Sequence, residues 1–393
     1  MGPMRTAVVS DLHLGGLADA DVARTGRPLD ALAEAVSDAD RLVLLGDIVE
    51  LRERPLARAL EVARPVLERL GGAMAGRPVV IVPGNHDHAL AEPWLARLRL
   101  AGQELSAEGE WPVEPGDGAA GRISEWMPDV ELTLAYPGLR LREDVYATHG
   151  HYLDLHLTIP RLESIAASAM GRITKLGQDA RSAADYETIL APLYAFYAGL
   201  AQGASAAALA GGSSFSRKVW QWASDGRGTE DPAAAAAATG TAAGAGDTPE
   251  AGRGGVVAAR ERASAAATRF LLGRVTIPGA VAALNVLGFG PFRATLTGEE
   301  LRRSGLDAMA RVAGVLAPGT PHVIFGHTHR PGPLAHDTVA EWTTTSGTRL
   351  WNSGSWLHEG VFVRAAQESP YWPGSVLTVE DDGPPRVRNV LTG

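Results

Sequence analysis

"RTAVVSDLHLG", residues 5–15, runs an apolar stretch straight into an aspartate, a histidine and a glycine. A short valine-rich run without alternation reads as a strand buried on both faces. Its polar residues would then stand where the chain leaves the sheet. The same grammar recurs in "RLVLLGD" (41–47) and "PVVIVPGN" (78–85), which end in Asp47 and Asn85. Between these runs, "LDALAEAVSDAD" (29–40) and "PLARALEVARPVLERLGG" (55–72) carry apolar residues at helical spacing. The alternation predicts an α/β fold, in its simplest form doubly wound, with polar residues gathered at the strand carboxyl ends.

Further along, "VELTLAYPGLRLRED" (130–144) reads as a hairpin-like pair turning at Tyr136-Pro137-Gly138, and leads into "DVYATHGH" (144–151). From about residue 156 the chain becomes Ala-rich and helical in propensity. Within that region "DPAAAAAATGTAAGAGDTPEAGRGG" (231–255) has little to bury and reads as a disordered connector. Strand patterns return at "PHVIFGHTH" (321–329), "TRLWNSGSW" (348–356), "GVFVRA" (360–365) and "SVLTVED" (375–381). This organisation is one discontinuous domain, residues 1–155 and 320–393, interrupted by a helical insertion over 156–319.

Composition narrows the chemistry. The 393 residues are 45% hydrophobic and 21% charged, as in an ordinary globular protein. A net charge of −9 argues against a broad basic face for nucleic acid. There are no cysteines, so a metal would have to use His, Asp, Asn or Glu. The beginning of the chain shows no apolar leader pattern, and the expected location is cytoplasmic. "VTIPGAVAALNVLGFGPF" (275–292) is 18 residues without a charge, but its prolines and glycines disfavour a spanning helix. It reads as a buried or lid-like hairpin, with peripheral membrane contact as the alternative.

Five strand ends carry potential ligands: Asp11 and His13; Asp47 and Glu50; Asn85, His86, Asp87 and His88; His149; and His327 with His329. Each alone has a bland reading as a cap or turn. Together, at the tips of strands expected in one sheet, they form a site of carboxylate, imidazole and amide oxygen. That donor set suits Mn, Fe or Zn rather than Ca, and seven candidates suffice for two ions sharing a carboxylate.

The ordered set "DLH", "GDIVE", "GNHD", "HG" and "GHTH" resembles the signature of the calcineurin-like metallophosphoesterases, over roughly residues 5–155 and 320–380. The resemblance implies an αββα sandwich of two mixed β-sheets flanked by helices, in place of the doubly wound form. It implies that Asp11, His13 and His329 hold one metal, that Asn85, His149 and His327 hold the other, and that Asp47 bridges them. His86 would be the general acid or charge stabiliser, with Asp87 orienting its ring. Two divalent ions about 3.5–4 Å apart, most simply Mn, would lower the pKa of a water between them for attack on phosphorus. Glu50, His151 and Arg330 are candidates for substrate contact. Asp154 and His156 would begin and orient the insertion, while Asn352 and Ser353 would shape a loop.

The substrate expected is a phosphorylated small molecule or a lipid-linked phosphate or pyrophosphate. Some similarity to UDP-2,3-diacylglucosamine pyrophosphohydrolases supports the lipid-linked form, with 275–292 in the lid. A nuclease of the same family and a non-catalytic scaffold are the alternatives. The acidic balance speaks against the first, and the complete ligand set against the second.

Overall fold

The computed structural model describes residues 4–24, 26–177, 179–202, 277–293, 298–358, 363 and 369–392. The expected connector at 231–255 lies outside the described residues, as does all of the "GVFVRA" strand except Val363. The opening run forms β1 (Thr6–Val9), buried at all four positions. Parallel to it lie β2 (Arg41–Leu44), β3 (Pro78–Ile81) and β5 (Glu131–Ala135), in the order β1-β2-β3-β5. One edge is extended by antiparallel β10 (Ser375–Val379) and β11 (Arg386–Asn389), the other by antiparallel β4 (Glu110–Pro112).

A second, four-stranded sheet has the order β6 (Gly138–Arg142), β7 (Val145–Thr148), β8 (His322–Phe325), β9 (Arg349–Asn352). Here β6 and β7 are antiparallel, and β7, β8 and β9 are parallel. The two sheets face each other across a shared core. Val8, Val43, Val80 and Ala135 come from one side; Leu139, Val145, Ala147 and Ile324 come from the other. Because side chains alternate along a strand, a one-residue slip of β8 would swap Ile324 for Val323 or Phe325 in that core, so burial pins the register.

On the outer face of the first sheet, α1 (Arg27–Val36) buries Leu32 and Val36, with Pro28 fitting its first turn. It packs on α2 (Leu56–Ala73), which buries Leu60, Ala63, Leu67 and Leu70 at helical spacing. Smaller helices α3 (Glu92–Leu100) and α4 (Gly118–Trp126) complete this layer. The chain then adds α5 (Leu162–Ile173), α6 (Ala183–Gln202), α7 (Ile277–Val286) and α8 (Gly298–Leu316). Met309, Val312 and Leu316 of α8 join the main buried cluster, and α8 packs against β9. Two mixed sheets with helices on both outer sides make the expected αββα sandwich.

Two expectations need correction. The run 130–144 is not a hairpin: β5 and β6 belong to different sheets, and the chain crosses between them at residues 136 and 137. Both edges of β5 are already taken by β3 and β4, so β6 has nowhere to pair there. Nor is the described part of 275–292 a hairpin; it opens with the ten-residue helix α7, whose last residue, Val286, is exposed together with Leu287 after it. Among the described residues no helix is long and apolar enough to cross a membrane.

Candidate metal centre

The strand carboxyl ends converge. β1 delivers Asp11 and His13, β2 Asp47, β3 Asn85 and His86, β7 His149, and β8 His327 and His329. Backbone hydrogen bonds fasten these loops together: His13 N donates to Asp47 O (2.8 Å), Asp11 N to Gly46 O (2.9 Å) and Gly326 N to His149 O (2.9 Å). Five of these residues adopt positive φ: Asp11 (54°), His13 (45°), Asp47 (53°), His327 (65°) and His329 (61°). Such conformations cost roughly 1–3 kcal/mol each for residues with a Cβ, and persist only where surroundings over-determine them. Close approach adds a second constraint. A Cβ on Gly84 would strike Asp47 Oδ1 and the His149 ring, so the backbone there has to be bare.

Three donor groups result among the described residues; one of them, His13, Glu50 and His86, is the set of contacts by which Glu50 holds two rings, and the other two meet at Asp47. The ligand atoms of Asp11, His13 and His329 lie within 4.8 Å of one another, as do those of Asp47, His149 and His327. Asp47 Oδ2 stands between these two groups, 3.1 Å from His149 Nε2 and 3.6 Å from His13 Nε2. Asp47 itself is buried, as are Asp11 and His149.

The rings are set up to bind through one nitrogen. His149 Nδ1 donates to Leu45 O (2.9 Å), His13 Nδ1 meets Glu50 Oε2 (3.0 Å), and His327 Nε2 meets Asp154 Oδ1 (3.0 Å). Each acceptor fixes the proton on the outward nitrogen and turns the other toward the centre, the arrangement that tunes metal-binding histidines. The inward Nε2 atoms of His13 and His149 are buried and make no hydrogen bond. The Asn85 amide oxygen faces only acceptors, Asp47 Oδ2 at 3.2 Å and His327 Nδ1 at 3.1 Å, while its nitrogen faces Arg52. The amide can also turn over, its nitrogen then donating to both acceptors and its oxygen accepting from Arg52, so the case for a cation is carried by the bare Nε2 atoms of His13 and His149. The donor set therefore fits divalent ions.

Electrostatics point the same way. Burial would raise the Asp47 pKa, but His149, His86 and His13 hold it well below the usual carboxylate range. Burial likewise opposes charge on His149, yet Asp47 beside it prevails and lifts its pKa to about 9. Cation binding at this ring must then displace a proton. Glu50 is also pulled down against burial, by His86 and His13.

Several assigned roles change. Asp87 does not orient His86: its oxygens accept from the backbone N–H groups of Gly84 (2.7 Å), Ile48 (2.7 Å) and Asp47 (3.2 Å), tying two loops together. The His86 ring is held by Glu50, with Nδ1 2.6 Å from Oε2. Glu50 thus positions two histidines with one oxygen, and its other oxygen accepts from Arg52 N (3.0 Å). Its side chain lines the cleft, but these bonds make it chiefly a positioning group for the two rings. His151 is buried behind His149 with its Nε2 3.2 Å from Tyr136 Oη, away from the cleft. Arg330 is spent on Asp337 (2.6 and 2.9 Å) and covers Trp342. His88 pairs with Glu187 of α6 (2.7 Å), and His156 with Tyr186 (2.7 Å).

Asp154 reaches back to His327 rather than starting the insertion. Replacing it with alanine is expected to weaken the affinity of the ion at His327 about 10–100-fold, by the usual cost of losing such a partner. Competition against a metallochromic chelator would measure this, and an unchanged affinity would refute the role. Asn352 and Ser353 do shape their loop: Asn352 Nδ2 donates to Gly326 O (2.9 Å), and Ser353 Oγ meets Ser10 Oγ (2.7 Å).

The sequence reading missed Arg52, whose Nη1 lies 3.3 Å from His86 Nε2 and whose guanidinium stacks 4.0 Å over Tyr197. Its only signal was adjacency to the Asp47 motif, in "ELRERP". It also missed Arg161 and Glu163, which line the cleft from the start of α5.

Residues 4–191 match the family model for calcineurin-like phosphoesterases. That stretch is a calcineurin-like phosphoesterase domain. The chain is a metal-dependent phosphoesterase with the family's two-sheet fold. The match ends before β8, so His327 and His329 rest on the "GHTH" motif and on geometry. No curated protein matches the chain.

Proposed function

We propose that the chain is a two-metal hydrolase that cleaves a phosphoester or pyrophosphate bond in a small or lipid-linked substrate. The observation that carries this reading is the place of Asp47 Oδ2 between the two donor groups. Asp11, His13 and His329 would hold one ion and Asn85, His149 and His327 the other, with Asp47 shared; Mn is the first choice, Fe or Zn the others. Bound there, the ions would supply positive charge for the phosphoryl oxygens and lower the pKa of an attacking water.

The protein's own residues do the rest. Glu50 holds the His86 ring so that Nε2 faces the cleft, where it can protonate the leaving oxygen. In the resting site Arg52 donates into that nitrogen. To act as the acid, Nε2 would first take a proton from solvent in place of this contact, and would then pass it to the departing oxygen. Exposed Val286 and Leu287 at the end of α7 are where a lipid surface would touch, if the substrate is lipid-linked.

A nuclease is the second reading, and the acidic rim of Asp21, Glu53 and Glu163 disfavours it. The test is to strip the protein with chelator, restore Mn, count bound ions, and screen phosphomonoesters, nucleotide diphosphates, lipid-linked pyrophosphates, DNA and RNA. About two ions per chain and restored hydrolysis of a small or lipid-linked substrate are expected. Hydrolysis indifferent to chelation would sink the proposal.

A further inference from the structure

The cleft over the metal centre has a volume of about 160 Å³, more than ten times the roughly 10–15 Å³ that one water requires. It therefore receives a substrate head rather than a solvent molecule alone. Its rim is acidic, with Asp21, Glu53 and Glu163. Arg161 is the one lysine or arginine among the residues lining it.

Arg161 sits immediately before α5, and its backbone is fixed at both ends. Its N–H donates to Ser164 Oγ (2.9 Å), and the same hydroxyl donates to its carbonyl (2.9 Å). Ser164 is fully buried, so this anchor does not drift. The neighbouring carboxylates have other partners. Asp21 takes Arg24 (2.9 Å) and Gly15 N (3.1 Å), Glu53 takes Leu17 N (2.8 Å), and Glu163 faces Arg52 (3.8 Å). The Arg161 guanidinium makes no ion pair among the described residues. A planar five-donor fork that lines the cleft without being paired to any of its carboxylates, and that acts on Asp154 only at a distance, suits an incoming anion, which it can meet through two parallel bonds.

We infer that Arg161 reads a second anionic group on the substrate, next to the phosphoryl group at the metal centre. This rests on the hydrolase reading above and narrows its substrate class to phosphoesters or diphosphates with one further negative group. One cation in an acidic rim admits one such group; a polyanion would run on into Glu53 and Glu163. The second group can be a phosphoryl or a carboxylate, since the fork fits both.

The test is calorimetric binding to the full-length, metal-loaded protein, with divalent ion in excess of every chelating probe. Inorganic phosphate carries one anionic group, phosphonoacetate adds a carboxylate, and pyrophosphate adds a phosphoryl. Arg161→Ala is expected to weaken phosphonoacetate, pyrophosphate or both about tenfold more than phosphate, the low end for a hydrogen bond between charged groups. Which of the two responds tells carboxylate from phosphoryl. Arg161→Lys, which keeps the charge and loses the fork, should fall between and serves if the alanine variant does not fold. Equal weakening of all three probes, or of none, overturns the inference. Metal-dependent hydrolysis by the wild type is measured separately. Its absence, with the selectivity intact, would sink the hydrolase reading and leave the role of Arg161 standing.

Discussion

Asp47→Asn is expected to abolish metal-dependent hydrolysis of bis(p-nitrophenyl) phosphate while leaving the sheet sandwich folded. The substitution is nearly isosteric. Asp47 Oδ1 accepts from His86 N at 2.8 Å, and an amide oxygen can keep that bond. What disappears is the negative charge at Oδ2, the atom facing both His149 and His13. A neutral amide is a poor bridge between two dications and cannot offset their repulsion. Loss of one preorganised electrostatic group typically costs about 10²–10³ in rate, and here both ions lose a ligand at once, so that range is a floor. Initial rates at saturating Mn, together with a count of bound metal, would measure it. Wild-type activity in this variant would remove Asp47 from the centre and with it the two-metal reading.

The second large effect depends on the leaving group. His86→Ala should slow cleavage of an alkyl phosphoester by about 10²–10⁴, the usual contribution of a positioned acid. The loss should be much smaller with p-nitrophenolate, which departs as a stable anion and needs little protonation. Parallel kcat/KM measurements on the two leaving groups decide the matter. Equal losses would mean that His86 supports the metals or the fold rather than the departing oxygen. The structure also fixes which neighbour matters to this ring: Glu50 holds Nδ1, whereas Asp87 serves the backbone.

The seven proposed ligands were legible because each follows an apolar run, and parallel strands bring their carboxyl ends to one edge. The pairing of sheets was less so. "VELTLAYPGLRLRED" has every local mark of a hairpin, and only the occupied edges of β5 forbid it. Roles that depend on direction were hidden as well. Glu50 and Asp87 are both acids near His86, and nothing in their spacing says which one turns toward the ring. Asp154 and His151 sit three residues apart, yet one reaches His327 while the other is buried against Tyr136. Arg52 and Arg161 are single charges with no period or motif, so their meaning appears only when the cleft closes around them.

The connectivity of the second sheet bears on how the protein is made. β7 ends at Thr148, and its parallel neighbour β8 begins at His322. A ribosome must therefore deliver all the residues in between before the strand leading to His327 and His329 can dock. The entropic cost of so long a detour is modest, since each doubling of a loop adds only about 0.6 kcal/mol. The cost is paid in time rather than stability. Until then β7 has an open edge, and the proposed ligand set around His149 lacks its member from the far end of the chain. A nascent or prematurely terminated chain can assemble much of the first sheet but not the proposed metal centre, which is complete only when about the last fifth of the polypeptide has been made.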